Sequence, residues 1–259
     1  MTTHPSIDGT RLSSEAYLAY LDTDVAALVA AASDLSADVP GCPGWSVADL
    51  LSHVVGVYRH KIVALDTDAQ PERQGEDDWG VIAAGEDPRE VLRQVYAELR
   101  ERLTTRDASA PTYAWWPPEQ TVGFWQRRMA QETAVHRWDA DSAVDGPDAA
   151  EPIPDDLAVD GVDELLGWLT WPWDEEPQPT ASGQSVLVST DDHAWTVTLH
   201  PTRVEVAAGG SDTAVALVAG EPSGLLLHLW GRPGEHGIAT GGDAAVLELL
   251  RERLAMLST

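Results

Sequence analysis

The spacing of apolar residues changes once along the chain, and this change constrains the fold more than any other feature. Over roughly the first 140 residues, apolar side chains recur at three- and four-residue intervals in four successive segments, as on helices buried along one face. Ser13 or Ser14 can cap the first, which carries Tyr17, Leu18, Leu21, Val25, Leu28 and Val29. The Pro- and Gly-rich run ADVPGCPGW cannot continue that helix. Ser46, with Asp49 three residues later, forms a capping box for a second helix with Val47, Leu50, Leu51, Val54 and Val57 on one side. A polar connection, roughly 66–86, contains Trp79 and has no clear pattern. The series Asp87-Pro88-Arg89-Glu90 places a cap, a first-turn proline and an acid at the head of a third helix. After a loop containing Trp115 and Trp116, a fourth helix is predicted over about 122–141. Four such helices in succession predict a helical bundle.

The run DSAVDGPDAAEPIPDD is rich in Asp, Ala, Gly and Pro and reads as a linker between domains at 1–145 and 150–259. Beyond a helix near 155–171 the apolar period shortens to two. SVLVST, HAWTVTLH, TRVEVAA and DTAVALVAG are short β-branched runs separated by turn residues. In the second, Trp195, Val197 and Leu199 should face inward and Thr196 and Thr198 outward. Two more helices, near 223–230 and 243–257, complete an α+β half with a small antiparallel sheet.

Charge and sorting signals exclude several functions. With 43 acids against 16 bases, the formal charge of −27 opposes binding to nucleic acid or to anionic membranes. The N-terminus lacks the basic start and apolar run of a secretory signal, and no stretch is long enough to span a membrane, so a cytoplasmic protein is expected. The one cysteine, Cys42, excludes disulfides and cysteine-based zinc sites within the chain. It lies in a loop without a histidine partner nearby in sequence, so an incidental role is expected. His60, beside Arg59, is assigned to a solvated face. Trp115 and Trp116 could line the mouth of a pocket.

Glu132 and His136 are four residues apart, about one turn, and therefore share a helix face. With 8 histidines and 43 acids, roughly one such pair arises by chance, so the spacing alone decides nothing. In a bundle a third ligand would project from a facing helix. His53, whose helical neighbours Leu50 and Val57 are apolar, is the candidate and is expected to point inward. Two histidines and one carboxylate make a set that leaves coordination positions open for chemistry. Arg128, one turn before Glu132, and Asp139, about one turn after His136, are candidates for orienting these ligands.

At these residues a resemblance enters. VPGCPGWSVADLLSHVVGVYRH resembles the opening motif of the mycothiol-dependent maleylpyruvate isomerase family, and GFWQRRMAQETAVHRWDAD is similar to its second. GLLLHLWGRPGE with TGGDAAVLELL is similar to the family's C-terminal signature. The resemblance implies a DinB-like four-helix bundle followed by a sterol-carrier-like α+β domain. It carries His53, Glu132 and His136 over as ligands of one divalent metal, usually zinc, and makes Arg232 an anion-binding residue. Gln131 departs from the pattern, since relatives often have histidine before the glutamate; its side chain should point about 100° away from Glu132.

The activity implied uses mycothiol or a related small thiol. A thiolate adds to a conjugated cis double bond, the resulting single bond rotates, and elimination gives the trans isomer. The same thiolate could instead attack another electrophile in an S-transfer. A monomer or weak dimer acting on a small-molecule substrate is expected. The contrasting expectation is a non-catalytic regulatory or ligand-binding protein on the same fold.

Overall fold

A computed structural model of the chain describes residues 10–72, 79–171 and 180–258; part of the polar connection, 73–78, lies outside these. The described chain divides into two compact units, Ser13–Glu151 and Pro152–Thr259, with residues 10–12 belonging to the second.

The first unit contains α1 (Ser14–Ala31), α2 (Val47–Thr67), α3 (Pro88–Thr105) and α4 (Val122–Asp145). Each start follows from its cap. Ser13 accepts from the Ala16 amide, Ser46 and Asp49 complete the reciprocal box, Asp87 accepts from the Arg89 amide ahead of Pro88, and Thr121 accepts from the Phe124 amide. The apolar stripes then meet. α1 lies along α4 and α2 along α3, with α4 also touching α2. Leu21, Leu28, Leu50, Leu51, Leu92, Leu99, Trp125, Met129 and Trp138 are fully buried where the stripes converge. Each such side chain contributes about 1.5–3 kcal/mol by leaving water, and together they fix which helix faces meet.

α2 and α4 run antiparallel. His53 of α2 meets Glu132, Tyr58 hydrogen-bonds Thr133 at 2.5 Å, and Lys61, further along α2, meets Trp125, earlier on α4. A tight loop precedes α2. The Val39 amide donates to the Trp45 carbonyl, the Trp45 amide donates to the Cys42 carbonyl, and Gly44 takes a φ of 88° that a side chain would strain. This turn directs Cys42 and Trp45 toward the α2–α4 seam.

The second unit follows with α5 (Asp155–Trp168), β1 (Gln184–Ser189), β2 (Ala194–Leu199), β3 (Val204–Ala208), β4 (Ala216–Ala219), α6 (Pro222–Leu229), β5 (Ala239–Gly242) and α7 (Ala244–Ala255). Trp195, Val197 and Leu199 are buried and alternate with partly exposed threonines, as the sequence pattern requires. The α-plus-α+β class is therefore the one expected, with a correction to the sheet. Its strands lie in the order β3-β2-β1-β4-β5, and although three pairings are antiparallel, β1 and β4 run parallel. After two hairpins the chain leaves the β3 edge and crosses the outer face, passing Leu187 at Gly210. It then enters β4 in the direction of β1, and such a crossover is what parallel neighbours require.

β5 is a strand that the residue pattern did not signal. Its sequence, ATGG, has no apolar alternation, but a Cβ on Gly242 would sit 2.2 Å from the Val215 carbonyl oxygen, so only glycine allows the pairing. No helix among the described residues is long and apolar enough to cross a membrane.

Candidate metal centre

The α2–α4 seam brings together three side chains separated by up to 83 positions in sequence. His53 Nε2 lies 3.2 Å from Glu132 Oε1, and His136 Nε2 lies 3.3 Å from the same oxygen. The ligand atoms of all three residues lie within 4.8 Å of one another. A tetrahedral ion with bonds of about 2.0–2.1 Å sets its ligands roughly 3.4 Å apart. Two imidazole nitrogens and a carboxylate oxygen at these separations therefore fit a divalent cation in size and in donor chemistry.

The surrounding residues fix the orientation of each donor. Asp139, fully buried, places Oδ2 3.0 Å from His136 Nδ1. Nδ1 donates there and Nε2 turns toward the cluster, an arrangement typical of histidine ligands. Arg128, also buried, donates from Nη2 to Glu132 Oε2 at 3.1 Å and leaves Oε1 facing the histidines. Both residues singled out as orienting groups thus touch the cluster as their spacing allows. His53 does not point into the core as expected. Its side chain is 36% exposed, with the Trp45 ring 5.0 Å away, and it forms the open side of the cluster.

The charges of the cluster are strongly coupled. Burial raises the Glu132 carboxyl, but hydrogen bonds to His136 and His53 and the Arg128 charge outweigh it and hold the group well below its ordinary range. Burial lowers His136, yet hydrogen bonds to Asp139 and Glu132 raise it to about 9. Without metal His136 is a cation at neutral pH, held between two carboxylates.

This has a measurable consequence. A histidine raised in the folded state contributes stability fully present below about 6.5 and lost as the pH rises through about 9. Metal binding requires the neutral ring and so displaces that proton. The metal-free protein is expected to lose roughly 5 °C of melting temperature between pH 6.5 and 9, whereas the zinc-loaded protein gains stability over the same interval. Thermal melts of both forms across this range check it; parallel slopes would contradict the assignment of His136.

Cys42 lies closer to the site than its sequence surroundings suggested. Its Sγ is 3.6 Å from Asp139 Oδ2, so Cys42, Asp139 and His136 form a second close group of possible donors. It reaches the cluster through Asp139, on the Nδ1 side of His136, away from the nitrogen that faces Glu132 and His53. Local sequence could not reveal this contact, because Cys42 and Asp139 are 97 positions apart. His60 is likewise not on a solvated face: it is partly buried, its ring 5.8 Å from that of Trp79. Gln131 is buried and does not belong to the ligand group. Trp115 packs on Phe124 and Trp116, and Trp116 is buried.

Arg232 belongs to the second unit. It follows α6 in a turn where Gly231 has a φ of 69° and the Arg232 amide donates to the Leu227 carbonyl at 2.9 Å. It is partly exposed and lines a cavity of about 580 Å³ with His228, Trp230, Glu248 and Arg251.

Comparison with known proteins agrees with this architecture. Residues 18–141 match the family described as the mycothiol maleylpyruvate isomerase N-terminal domain. A crystal structure of the mycothiol-dependent maleylpyruvate isomerase is similar over 90% of this chain and 95% of its own, with a TM-score of 0.58 and 16% identity. A crystal structure of a mutant of that isomerase is similar over the same shares, with a TM-score of 0.57 and 15% identity. No curated protein matches the sequence. The helical unit of the chain, over residues 18–141, thus carries the mycothiol maleylpyruvate isomerase N-terminal domain, and nine-tenths of the chain shares the fold of the mycothiol-dependent maleylpyruvate isomerase.

Proposed function

We propose that the protein is a cytoplasmic enzyme that binds one divalent metal, most naturally zinc, through His53, Glu132 and His136. We further propose that it activates mycothiol or a related small thiol for addition to an unsaturated acid, or for transfer to another electrophile. The observation that carries the reading is the three-donor cluster on the α2–α4 seam, with one carboxylate oxygen 3.2 and 3.3 Å from two imidazole nitrogens. A divalent ion held by three protein donors keeps a position open, and a thiol entering it loses its proton near neutral pH.

The chain's own residues set the conditions for this. Arg128, Glu132 and Asp139 sum to a single negative charge; adding a divalent ion makes the local charge +1, which one thiolate neutralises. The global charge of −27 is therefore reversed at this one place. Asp139 keeps His136 Nε2 directed at the cluster, and Arg128 prevents Glu132 from swinging away. Trp45 covers one side of His53 and limits access by water. The only internal thiol, Cys42, is hydrogen-bonded behind His136, which favours a thiol supplied from outside. Arg232 is the proposed holder of a substrate carboxylate, through the paired N–H groups of its guanidinium.

Cobalt(II) tests the reading directly. Protein carrying one equivalent of cobalt is expected to change its visible spectrum on titration with mycothiol, saturating at one thiol per metal, and Cys42→Ser protein should respond alike. A spectrum indifferent to thiol would overturn the thiol-activating function while leaving the metal assignment standing.

A further inference from the structure

Lys61 is the only lysine among the 16 basic residues of the chain, and it lies on the seam that carries the metal cluster. It follows His53 by eight residues of α2, about 12 Å along the helix axis, and so stands close to the same face. Its ammonium is 4.9 Å above the ring of Trp125, which precedes Glu132 by two turns of α4. Its Nζ also lies 3.1 Å from His60 Nδ1. Burial pushes His60 down to about 4, so its ring is neutral and accepts this hydrogen bond; the Trp79 ring packs against it at 5.8 Å.

Lys61 does not pair with an anion. Although acids outnumber bases 43 to 16, no carboxylate among the described residues makes an ion pair with it. Burial lowers its amine to about 8, against the attraction of Glu132 and with the repulsion of Arg128. Arg128, the nearer guanidinium on α4, is already engaged with Glu132. A partly desolvated ammonium over an aromatic face, with no carboxylate of its own, is a poor stabilising element and a good anion receptor. If Lys61 served only to cover apolar surface with its stem, its charged end would be expected to reach out to water.

We propose that Lys61 is the anion-recognition residue of the helical unit, holding a carboxylate of a short unsaturated acid whose reacting carbon lies at the His53–Glu132–His136 cluster. The inference deepens the function proposed above and rests on it. The charges are consistent: the loaded cluster neutralises one thiolate, and Lys61 then neutralises one carboxylate.

Because the chain has a single lysine, an amine-acylating reagent followed by peptide mass spectrometry reads this site alone, with the terminal amine as internal control. In zinc-loaded protein, maleate or fumarate is expected to slow acylation of Lys61 at least about fivefold, whereas the uncharged diamide should not. Lys61→Met should raise KM for the diacid about 10- to 100-fold, the loss of one charge-assisted hydrogen bond, and leave KM for its dimethyl ester unchanged. Lys61→Arg should restore part of the difference. Equal acylation with and without diacid would overturn the assignment, as would Lys61→Met weakening acid and ester alike. Metal uptake and thiol response without protection would sink the Lys61 proposal alone. Protection by diacid in a protein that takes up no metal would instead sink the metal-dependent function and leave the Lys61 assignment in place.

Discussion

His136→Ala is expected to lower zinc or cobalt affinity by well over a hundredfold, measured by competition with a chromogenic chelator. Loss of a residue that merely supports a ligand typically costs 10- to 100-fold, and loss of a donor should exceed that. His136 would supply one of the three proposed donor atoms, and it connects Asp139 to the cluster through its other nitrogen. Its side chain is only 9% exposed, so the substitution also leaves a cavity and an unpaired Asp139 carboxylate. His53→Ala is therefore the companion variant. At 36% exposure it can be removed with little effect on packing, and a comparable loss of affinity is expected. Asp139→Asn should fall in the 10- to 100-fold range, because the ring keeps its position but its tautomer is no longer enforced. Full metal occupancy in both alanine variants would show that the ion, if any, binds elsewhere.

Turnover of an unsaturated acid should depend on an added thiol, falling at least about a thousandfold when mycothiol is omitted. This magnitude is the expected difference between a positioned thiolate and water as nucleophile at neutral pH. Glu132→Gln preserves volume but removes the charge that faces both histidines and binds Arg128. It is expected to cost at least about a hundredfold in turnover, with circular dichroism showing an intact bundle. Arg232→Met should raise KM for the anionic electrophile roughly tenfold, with kcat less affected. Cys42→Ser should keep the dependence on added thiol, since serine can still donate to Asp139. Equal turnover without thiol, or undiminished turnover by metal-free Glu132→Gln protein, would rule out the proposed chemistry.

The helices were legible because their signals are local. A serine with an aspartate three residues on, or an aspartate before proline, satisfies backbone donors within one turn, and a three–four apolar stripe needs no knowledge of its partner. The strands were legible for the same reason where they alternate, and β5 was missed because its glycines matter only once the Val215 carbonyl lies against them. Parallel pairing of β1 with β4 was likewise hidden, since alternation specifies a face and not the direction of the neighbour.

The site divides along the same line. Spacing along one helix placed Arg128, Glu132, His136 and Asp139 near one another, because rise and rotation per residue are fixed by the backbone hydrogen bonds. His53 was legible only as a candidate, from the apolar neighbours Leu50 and Val57; its grouping with Glu132 and His136 was implied by the family resemblance, since no local rule links positions 53 and 132. Where Cys42 and Lys61 fall relative to the cluster, and how open His53 is, was decided only in the tertiary structure. Those contacts depend on the rotation and offset of α2 against α4, set by the summed burial of Leu50, Leu51, Val54, Tyr58, Trp125, Met129 and Trp138 rather than by the residues of the site themselves.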